Sequence, residues 1–305
     1  MNIATLFAHS RFRFWHYLYG PMLVVWAYII KLYSQWYFSD AWIFWFVIYI
    51  SFFLYFTFPG NLFVYGVNDF GDGDTDKFNE KKWWYEAILS NKKNFLKNIF
   101  GVQILYRVGI IIFRILWFFI YNKISSGADI QFGYYFFSLI SLIALLPFLI
   151  LSWLYSMEPV RFKKRLFWDG ISNVLYIITP SILMRMLIGW LSLNFLFWFL
   201  AAWLWCIAMH CFSAIPDIEA DAKAGLKTTA IFLGKNKSLL YCMILYALAW
   251  ILASQVIGVF GAIFWLIYVA MVTLGFKYNI FKVYKYFPYI NFIIGFFLCL
   301  VIYFM

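Results

Sequence analysis

Two acidic segments contain most of the carboxylates in this chain of 305 residues. In the first segment Asp69, Asp72 and Asp76 are spaced i, i+3 and i+7, and in the second Asp217 and Asp221 are spaced i and i+4. On a helix each set lies on one face, where like charges repel one another. A divalent cation compensates such a face most directly, and Mg²⁺ is suited to carboxylate oxygens, water and substrate phosphate. The spacing therefore predicts two carboxylate faces that hold Mg²⁺ around a diphosphate.

Basic residues are concentrated near these acidic segments. One basic group is Arg161, Lys163, Lys164 and Arg165, and another, directly after the first acidic segment, is Lys77, Lys81 and Lys82. Arg and Lys side chains bind phosphate oxygens through charge-assisted hydrogen bonds and neutralise charge that metal ions leave over. Acidic and basic groups together therefore indicate a metal-bridged phosphate site.

The composition indicates that this site belongs to a membrane protein. Apolar residues make up 66% of the chain and charged residues only 12%, whereas soluble domains are roughly half apolar and a quarter charged. These values exclude a water-soluble enzyme, a disordered chain and a nucleic-acid-binding domain. The formal net charge of +11 then points to contact with a membrane surface, and no nucleic-acid partner is expected.

Nine stretches are long and apolar enough to cross a bilayer as helices, which need about 20 residues each. They lie near residues 14–33, 41–67, 95–121, 132–156, 168–188, 191–213, 238–257, 260–276 and 287–304. Most Lys and Arg residues fall at the N-terminus and in every second connection, which predicts that these parts, with both acidic segments, are cytoplasmic. The acidic segments follow the second and sixth stretches, so we expect a single all-α domain over residues 1–305 with two four-helix units plus one helix around a central cavity.

These features resemble the UbiA superfamily of intramembrane prenyltransferases. The first segment fits that family's NDxxDxxxD pattern at Asn68, Asp69, Asp72 and Asp76, and the second fits its DxxxD pattern. Within the family, the stretches from Tyr155 to Asn173 and from His210 to Thr229 look most similar to lycopene elongases, which make C50 carotenoids. Met157 and Glu158 depart from the small residue and proline that such enzymes tend to have.

The resemblance implies a role for each candidate residue. It implies metal contacts at Asn68, Asp69, Asp72, Asp76, Asp217 and Asp221, with catalytic roles for Asp72, Asp76, Asp217 and Asp221. It implies diphosphate contacts at Arg161, Lys163, Lys77 and Lys82, and substrate contacts at Tyr155 and Asn173. The implied reaction is Mg²⁺-dependent transfer of a prenyl group, such as that of dimethylallyl diphosphate, to a lipophilic acceptor in the bilayer such as the C40 carotenoid lycopene.

Two other functions are compatible with parts of the pattern. A related enzyme would prenylate an aromatic or quinone precursor of the 4-hydroxybenzoate or homogentisate type. A secondary transporter would place polar groups near the bilayer midplane on broken helices. Here the acidic residues fall at helix ends on one side of the membrane, which favours an enzyme.

Overall fold

The computed structural model describes residues 3–34, 41–72, 92–124, 145–188 and 192–305, together with residues 89 and 143. Within this part of the chain all regular structure is helical. The α-helices are α1 (Ile3–His9), α2 (His16–Ser34), α3 (Ala41–Thr57), α4 (Pro59–Gly71), α5 (Phe95–Ile124), α6 (Leu145–Ser156), α7 (Trp168–Ile188), α8 (Leu193–Ala214), α9 (Ile218–Lys223), α10 (Thr229–Ile257), α11 (Val259–Lys277) and α12 (Ile280–Phe304). The predicted all-α fold is confirmed.

Six segments of the described chain are long and apolar enough to span a membrane, so the predicted count of nine is not confirmed. They are Phe46–Gly71, Phe95–Ile120, Leu193–Lys223, Thr229–Ile257, Val259–Lys277 and Ile280–Phe304. The predicted stretches 14–33 and 168–188 do form helices, α2 and α7, but neither is among the six. The α7 sequence contains Asp169, Ser172, Asn173 and Arg185, and these polar residues reduce its apolar character. Of the predicted stretch 132–156, the described helix is α6 alone.

A kink at Pro59 divides the second predicted stretch into α3 and α4. Proline has no backbone N–H and cannot continue a helix without freeing carbonyl groups of the preceding turn. The side chain of Asn61 satisfies two of these, because its Nδ2 atom donates to the carbonyls of Phe56 at 2.5 Å and Thr57 at 2.7 Å. Gln103 of α5 fixes the kink by donating from Nε2 to the carbonyl of Pro59 at 2.7 Å. The kink sets the direction of α4, whose last turn bears the first acidic motif.

Helices that are neighbours along the chain pack against one another, and the last helix returns to the first long one. The most extensive contact joins α8 to α10, and α10 then packs on α11 and α11 on α12. The α12 helix contacts α2, while α2 also packs against α7. The main hydrophobic core lies among these helices and includes fully buried Tyr246, Phe212 and Phe287. This arrangement encloses the space in which the polar groups described next are found.

Large apolar side chains cover the outer surface. Ile104, Leu105 and Phe119 of α5 and Phe296 of α12 are more than half exposed. Contiguous apolar surface of this extent is not stable in water but matches the hydrocarbon core of a bilayer. The exterior is therefore suited to lipid on several sides.

Candidate active site

The end of α4 joins a carboxylate to two cations from the connection between α6 and α7. The Oδ2 atom of Asp72 accepts a hydrogen bond from Nδ2 of Asn68 at 2.8 Å. Its Oδ1 atom accepts from Nη2 of Arg161 at 3.2 Å and from Nζ of Lys163. Lys163 also donates to Oδ1 of Asn68 at 2.8 Å. The structure thus brings two predicted metal contacts and two predicted diphosphate contacts into one cluster.

The connection after α6 is shaped to deliver these cations. Arg161 has a left-handed backbone with φ of 38°, and the one-turn 3₁₀ helix Phe162–Lys164 follows it directly. The Nη2 atom of Arg161 also donates to the carbonyl oxygen of Gly71 at 2.8 Å. A Cβ atom at Gly71 would lie 2.8 Å from the carbonyl oxygen of Ser156, closer than real Cβ contacts. Glycine at this position therefore allows the end of α4 to approach the end of α6.

The second acidic motif follows a break at the end of α8. Pro216 interrupts the helix, so the chain tightens into the 3₁₀ turn Ile215–Asp217 and then forms α9, Ile218–Lys223. Gly225, with φ of 73°, allows the chain to leave α9 in a conformation that disfavours other residues. This geometry directs Asp217 and Asp221 to the same space as the first motif.

Both motifs line one cavity of about 220 Å³. Among its lining residues are the predicted site residues Asn68, Asp72, Asp217, Asp221, Lys163, Tyr155 and Asn173. Arg161 is not among the lining residues and is joined to the site through Asp72. The prediction that the two acidic motifs face a common space is therefore matched by the geometry.

The donor set of this cavity is suited to Mg²⁺ that shares its coordination with a substrate. In the described part of the chain no three His, Cys, Asp or Glu side chains converge into a ready-made metal cage. Mg²⁺ usually takes one or two carboxylates and completes an octahedral shell with water and substrate phosphate. The carboxylates of Asp72, Asp217 and Asp221 and the amide of Asn68 fit that pattern, since all four line one cavity with room for water and phosphate.

Asp69 is not brought to the cavity with the other acidic residues. It is fully buried, and its carboxylate contacts Nδ1 of His9 at 2.7 Å and Nη2 of Arg11 at 2.5 Å. Asn68 and Asp72 are one turn apart and face the cavity, whereas Asp69 is rotated about 60° from Asp72 at 100° per residue. That rotation turns it towards the N-terminal segment, so the structure gives it a partner other than the predicted metal.

Arg11 is a cavity residue that sequence reasoning missed. It lines the cavity, forms the ion pair with Asp69, and stacks over the ring of Tyr65 at 4.9 Å. Its backbone is left-handed, with φ of 51°. In the sequence, Arg11 is one of the basic residues of the N-terminus, which indicate the cytoplasmic side. No local pattern links it to an aspartate 58 residues away. Only the tertiary structure identifies it as a third cation beside the carboxylates.

A histidine lines the cavity next to the predicted substrate residues and is backed by a buried aspartate. His210 lines the cavity, and its Nε2 atom lies 3.8 Å from Oδ2 of Asp169. Asp169 is held by Thr229, which donates to it from the backbone N at 2.8 Å and from Oγ1 at 2.6 Å. The ring of Tyr155 stands edge-on to His210, with centroids 6.2 Å apart. Three predicted site residues, Asp76, Lys77 and Lys82, lie outside the described residues.

Residues 32–289 match the model of the UbiA prenyltransferase family. The chain belongs to this family. Its curated relatives include the lycopene elongase/hydratase of Haloarcula japonica, with 35% identity over 292 residues that cover 94% of this chain and 86% of the relative. The lycopene elongase/hydratase of Halobacterium salinarum is 30% identical over 296 residues, covering 95% and 94%. The protein is thus a multi-pass membrane prenyltransferase.

Solved structures of a UbiA homolog from Archaeoglobus fulgidus share the fold. The form bound to GPP and Mg²⁺ superposes with a TM-score of 0.51 at 16% identity, covering 96% of this chain and 99% of the homolog. The form bound to DMAPP and Mg²⁺ gives a TM-score of 0.52 at 16% identity, covering 94% and 98%. This likeness concerns the arrangement of the helices.

This UbiA family member has a second, apolar cavity next to the polar one. Its volume is about 160 Å³, and residues of α2, α7, α8, α10, α11 and α12 line it. Aromatic side chains such as Trp198, Phe199 and Trp250 form much of the wall. Tyr17 lines both cavities and therefore marks their junction. A polar chamber that adjoins an apolar one suits a substrate with a charged head and a hydrocarbon tail.

Proposed function

We propose that this protein transfers a prenyl group from an allylic diphosphate, dimethylallyl diphosphate in the first instance, to a C40 carotenoid such as lycopene. The observation that carries the proposal is the cavity lined by Asp72, Asp217, Asp221 and Lys163, which shares the wall residue Tyr17 with an adjoining apolar chamber. The relatives from two haloarchaea named lycopene elongase/hydratase support the choice of acceptor. The homolog structures that hold GPP or DMAPP with Mg²⁺ support the choice of donor and metal.

The polar cavity binds the diphosphate in this proposal. Mg²⁺, held by Asn68, Asp72, Asp217 and Asp221, would neutralise the diphosphate charge and so make it a better leaving group. Lys163 and Arg11 contribute fixed positive charge at the cavity wall, and Arg161 supports this arrangement by holding Asp72. Asp76, Lys77 and Lys82 remain proposed contacts on the basis of sequence. Asp69 is reassigned from the metal to the positioning of Arg11.

Asp72 must exchange partners when the diphosphate binds. Its Oδ1 atom is now shared by Arg161 and Lys163, which balance its charge within a largely buried site. The Asp72 carboxylate would hold Mg²⁺ in place of these cations, and the ammonium group of Lys163 would then bind a diphosphate oxygen. The two cations thus compensate the charge of Asp72, which would be costly to bury alone.

The apolar chamber protects the reactive intermediate. Departure of the diphosphate leaves an allylic cation, which water would capture if it had free access. Aromatic faces around the chamber stabilise a nearby cation through their quadrupoles. The terminal double bond of the acceptor attacks the cation, and the new cation then loses a proton or takes up water. Tyr155 and Asn173 line the polar cavity beside this region and are proposed to position the substrates.

We also propose that the N-terminus and both acidic motifs face the cytoplasm and that nine helices cross the membrane. The basic residues of the N-terminus and of alternate connections support this orientation. Reporter fusions placed after residues 224 and 258 test it. The first is predicted to be cytoplasmic and the second external, and the reverse pattern would contradict the orientation.

The product formed in a lycopene-producing host tests the proposed activity. Expression of the chain is expected to yield carotenoids of 45 or 50 carbons, detected by mass spectrometry. The matched control is the Asp217→Ala chain in the same host, which should accumulate lycopene alone. If the wild-type chain instead prenylates only 4-hydroxybenzoate or homogentisate, the acceptor is an aromatic precursor and the carotenoid assignment is wrong.

A further inference from the structure

A chain of buried hydrogen bonds ends at the junction of the two cavities. The indole Nε1 of Trp205 donates to the hydroxyl oxygen of Tyr268 at 2.7 Å. The Tyr268 hydroxyl donates to Oδ1 of Asn291 at 2.6 Å, and Nδ2 of Asn291 donates to the hydroxyl oxygen of Tyr17 at 2.9 Å. The chain crosses four helices, α8, α11, α12 and α2, and all four side chains line the apolar cavity. Tyr17 lines the polar cavity as well.

Each hydrogen bond in this series has a defined donor and acceptor. An indole N–H can donate but cannot accept, so the Tyr268 oxygen must be the acceptor from Trp205. In the structure the Tyr268 hydroxyl donates to the carbonyl side of the Asn291 amide, and the NH₂ side faces Tyr17. Tyr17 therefore accepts from Asn291 and keeps its own O–H hydrogen to donate. Among the described residues none accepts that hydrogen.

A polar chain in an apolar chamber needs a reason beyond packing. Each unpaired polar group in an apolar interior is costly, and hydrogen-bonded partners remove that cost only where they are complete. In this series the donors of Trp205, Tyr268 and Asn291 each have an acceptor. The Tyr17 hydroxyl can still donate a hydrogen bond, and it lies beside the space in which the cation forms. The chain therefore holds one oxygen in a fixed position, with a donor hydrogen and one lone pair, at the point where the charged and apolar parts of the substrates meet.

We propose that Tyr17, positioned by Asn291, binds the water molecule that adds to the acceptor cation after prenyl transfer. This inference rests on the proposed function, because it concerns the fate of the cation which that reaction generates. Tyr268 and Trp205 act on the reaction only by fixing Asn291, so they are positioning residues. Asn291 in turn positions Tyr17, which is the member of the chain that touches water.

The step balances with groups that the proposed reaction supplies. Attack of the acceptor double bond forms the new carbon–carbon bond and leaves a tertiary cation on the acceptor. A lone pair of the bound water forms a carbon–oxygen bond to this cation. The surplus proton of the resulting oxonium passes to the Tyr17 oxygen while Tyr17 gives its own hydrogen to the released diphosphate in the polar cavity. The products are a tertiary alcohol and a protonated diphosphate, with no change of oxidation state.

The test is the ratio of hydroxylated to dehydrated product made by purified protein from lycopene and dimethylallyl diphosphate. Tyr17→Phe removes one oxygen and keeps the ring, and it is expected to lower the hydroxylated fraction at least about tenfold. The remaining product should be an alkene lighter by one water molecule, because the cation then loses a neighbouring proton. Trp205→Phe removes the hydrogen-bond donor to Tyr268. It is expected to lower the hydroxylated fraction by a smaller factor than Tyr17→Phe.

Tyr246→Phe is the matched control. Tyr246 is fully buried and stacked on Tyr268 with ring centroids 4.3 Å apart, but it lines neither cavity. The same loss of one oxygen there should leave the product ratio unchanged. An unchanged ratio in Tyr17→Phe, or equal changes in Tyr17→Phe and Tyr246→Phe, would overturn the inference.

The wild-type protein separates this inference from the proposed function. Hydroxylated prenylated product from the wild type is required by the inference. Prenylated product without any hydroxylation would overturn the inference and leave prenyl transfer intact. Absence of prenylated carotenoid altogether would overturn the proposed function. The unfolding temperature of each variant is measured in detergent alongside. A change in the product ratio that accompanies a large fall in unfolding temperature is attributed to unfolding.

Discussion

Asp69 and Asp72 belong to one short motif, yet the structure gives them different environments. Asp72 lines the polar cavity, where Lys163 and Arg161 share its Oδ1 atom. Asp69 is sealed against the N-terminal segment, where His9 and Arg11 bind it. In the proposed mechanism the first carboxylate exchanges partners, because Lys163 would shift to the diphosphate. The second is paired with His9 and Arg11, and Arg11 connects it to the cavity.

This difference shows that spacing on a helix does not by itself decide which carboxylate meets a ligand. A rotation of about 60° separates Asp69 from Asp72 on an ideal helix. That angle is small enough for a sequence pattern to place both on one face. It is large enough for a neighbouring segment to occupy one side and leave the other to the cavity. In the proposed mechanism the motif therefore has two roles, contact with the ligand through Asp72 and support of a cation through Asp69.

The largest expected effect comes from the exchangeable carboxylate. Asp72→Ala should lower turnover about a thousandfold, because it removes charge that the leaving diphosphate and its metal require. Diphosphate release by purified protein is the measurement. Glu158→Gln is the matched control: Glu158 lies 3.4 Å from Arg161 but is 64% exposed, so its loss should change turnover by less than about twofold. Comparable losses in both variants would mean that the cavity does not distinguish them.

Two adjacent lysines in the connection after α6 allow the same comparison for the cations of the site. Lys163 is buried against Asp72 and Asn68, whereas Lys164 is 28% exposed and lies 3.5 Å from Glu158. Lys163→Met should raise the KM for the diphosphate about 10- to 100-fold, the size of one charge-assisted hydrogen bond. Lys164→Met should leave it within about twofold. Steady-state kinetics on the two variants decide, and equal KM values would refute the assignment of Lys163.

Asp69, the carboxylate paired with Arg11, should affect the stability of the protein as well as its KM for the diphosphate. Asp69→Asn removes the buried negative charge that Arg11 contacts, and breaking a buried pair costs about 3–5 kcal/mol. We expect a lower unfolding temperature and a KM for the diphosphate raised about tenfold. Arg11→Met should raise KM similarly, and the double variant should be no worse than the worse single one, because the two residues act as a unit. An Asp69→Asn protein with normal stability and no turnover would restore Asp69 as a metal contact.

The smallest expected effect concerns the glycine between the two aspartates. Gly71→Ala forces a Cβ against the carbonyl oxygen of Ser156 and should cost about 1–3 kcal/mol of stability with a several-fold loss of turnover. Gly101→Ala in α5 is the control, since nothing lies within 4 Å of a Cβ there. That change should be neutral or slightly stabilising, because alanine favours helix. Unfolding temperatures of the two variants provide the comparison.

Much of the fold was accessible from the sequence because hydrocarbon permits few structures. Long apolar runs predicted helices, and α2, α5, α8 and α11 follow those runs closely, whereas α12 begins well before its predicted stretch. The break at Pro59 was not predicted, since a proline within an apolar run does not reveal whether a side chain such as Asn61 will satisfy the freed carbonyls. The α7 helix was predicted, but its polar residues make it less apolar than the six segments that could span a membrane by length and composition.

The candidate site divides in the same way between local and distant information. Asn68, Asp72, Asp217, Asp221 and Lys163 were predicted from motifs, and all five line the cavity. The position of Arg11 depends on a contact across 58 residues, and no short pattern encodes it. The hydrogen-bond chain that ends at Tyr17 joins four helices and is likewise invisible in any single segment. Sequence spacing therefore identifies groups on one element, while pairing between elements requires the structure.

The central claim is that both acidic motifs hold one diphosphate. Equilibrium binding of a non-reactive allylic diphosphate analogue in the presence of Mg²⁺, measured by tryptophan fluorescence, tests it most directly. Asp72→Ala and Asp217→Ala are each expected to weaken binding at least about a hundredfold, and chelation of Mg²⁺ should abolish the difference between them and the wild type. Wild-type affinity in either variant would show that its motif does not contact the ligand, and the account of a shared site would be wrong.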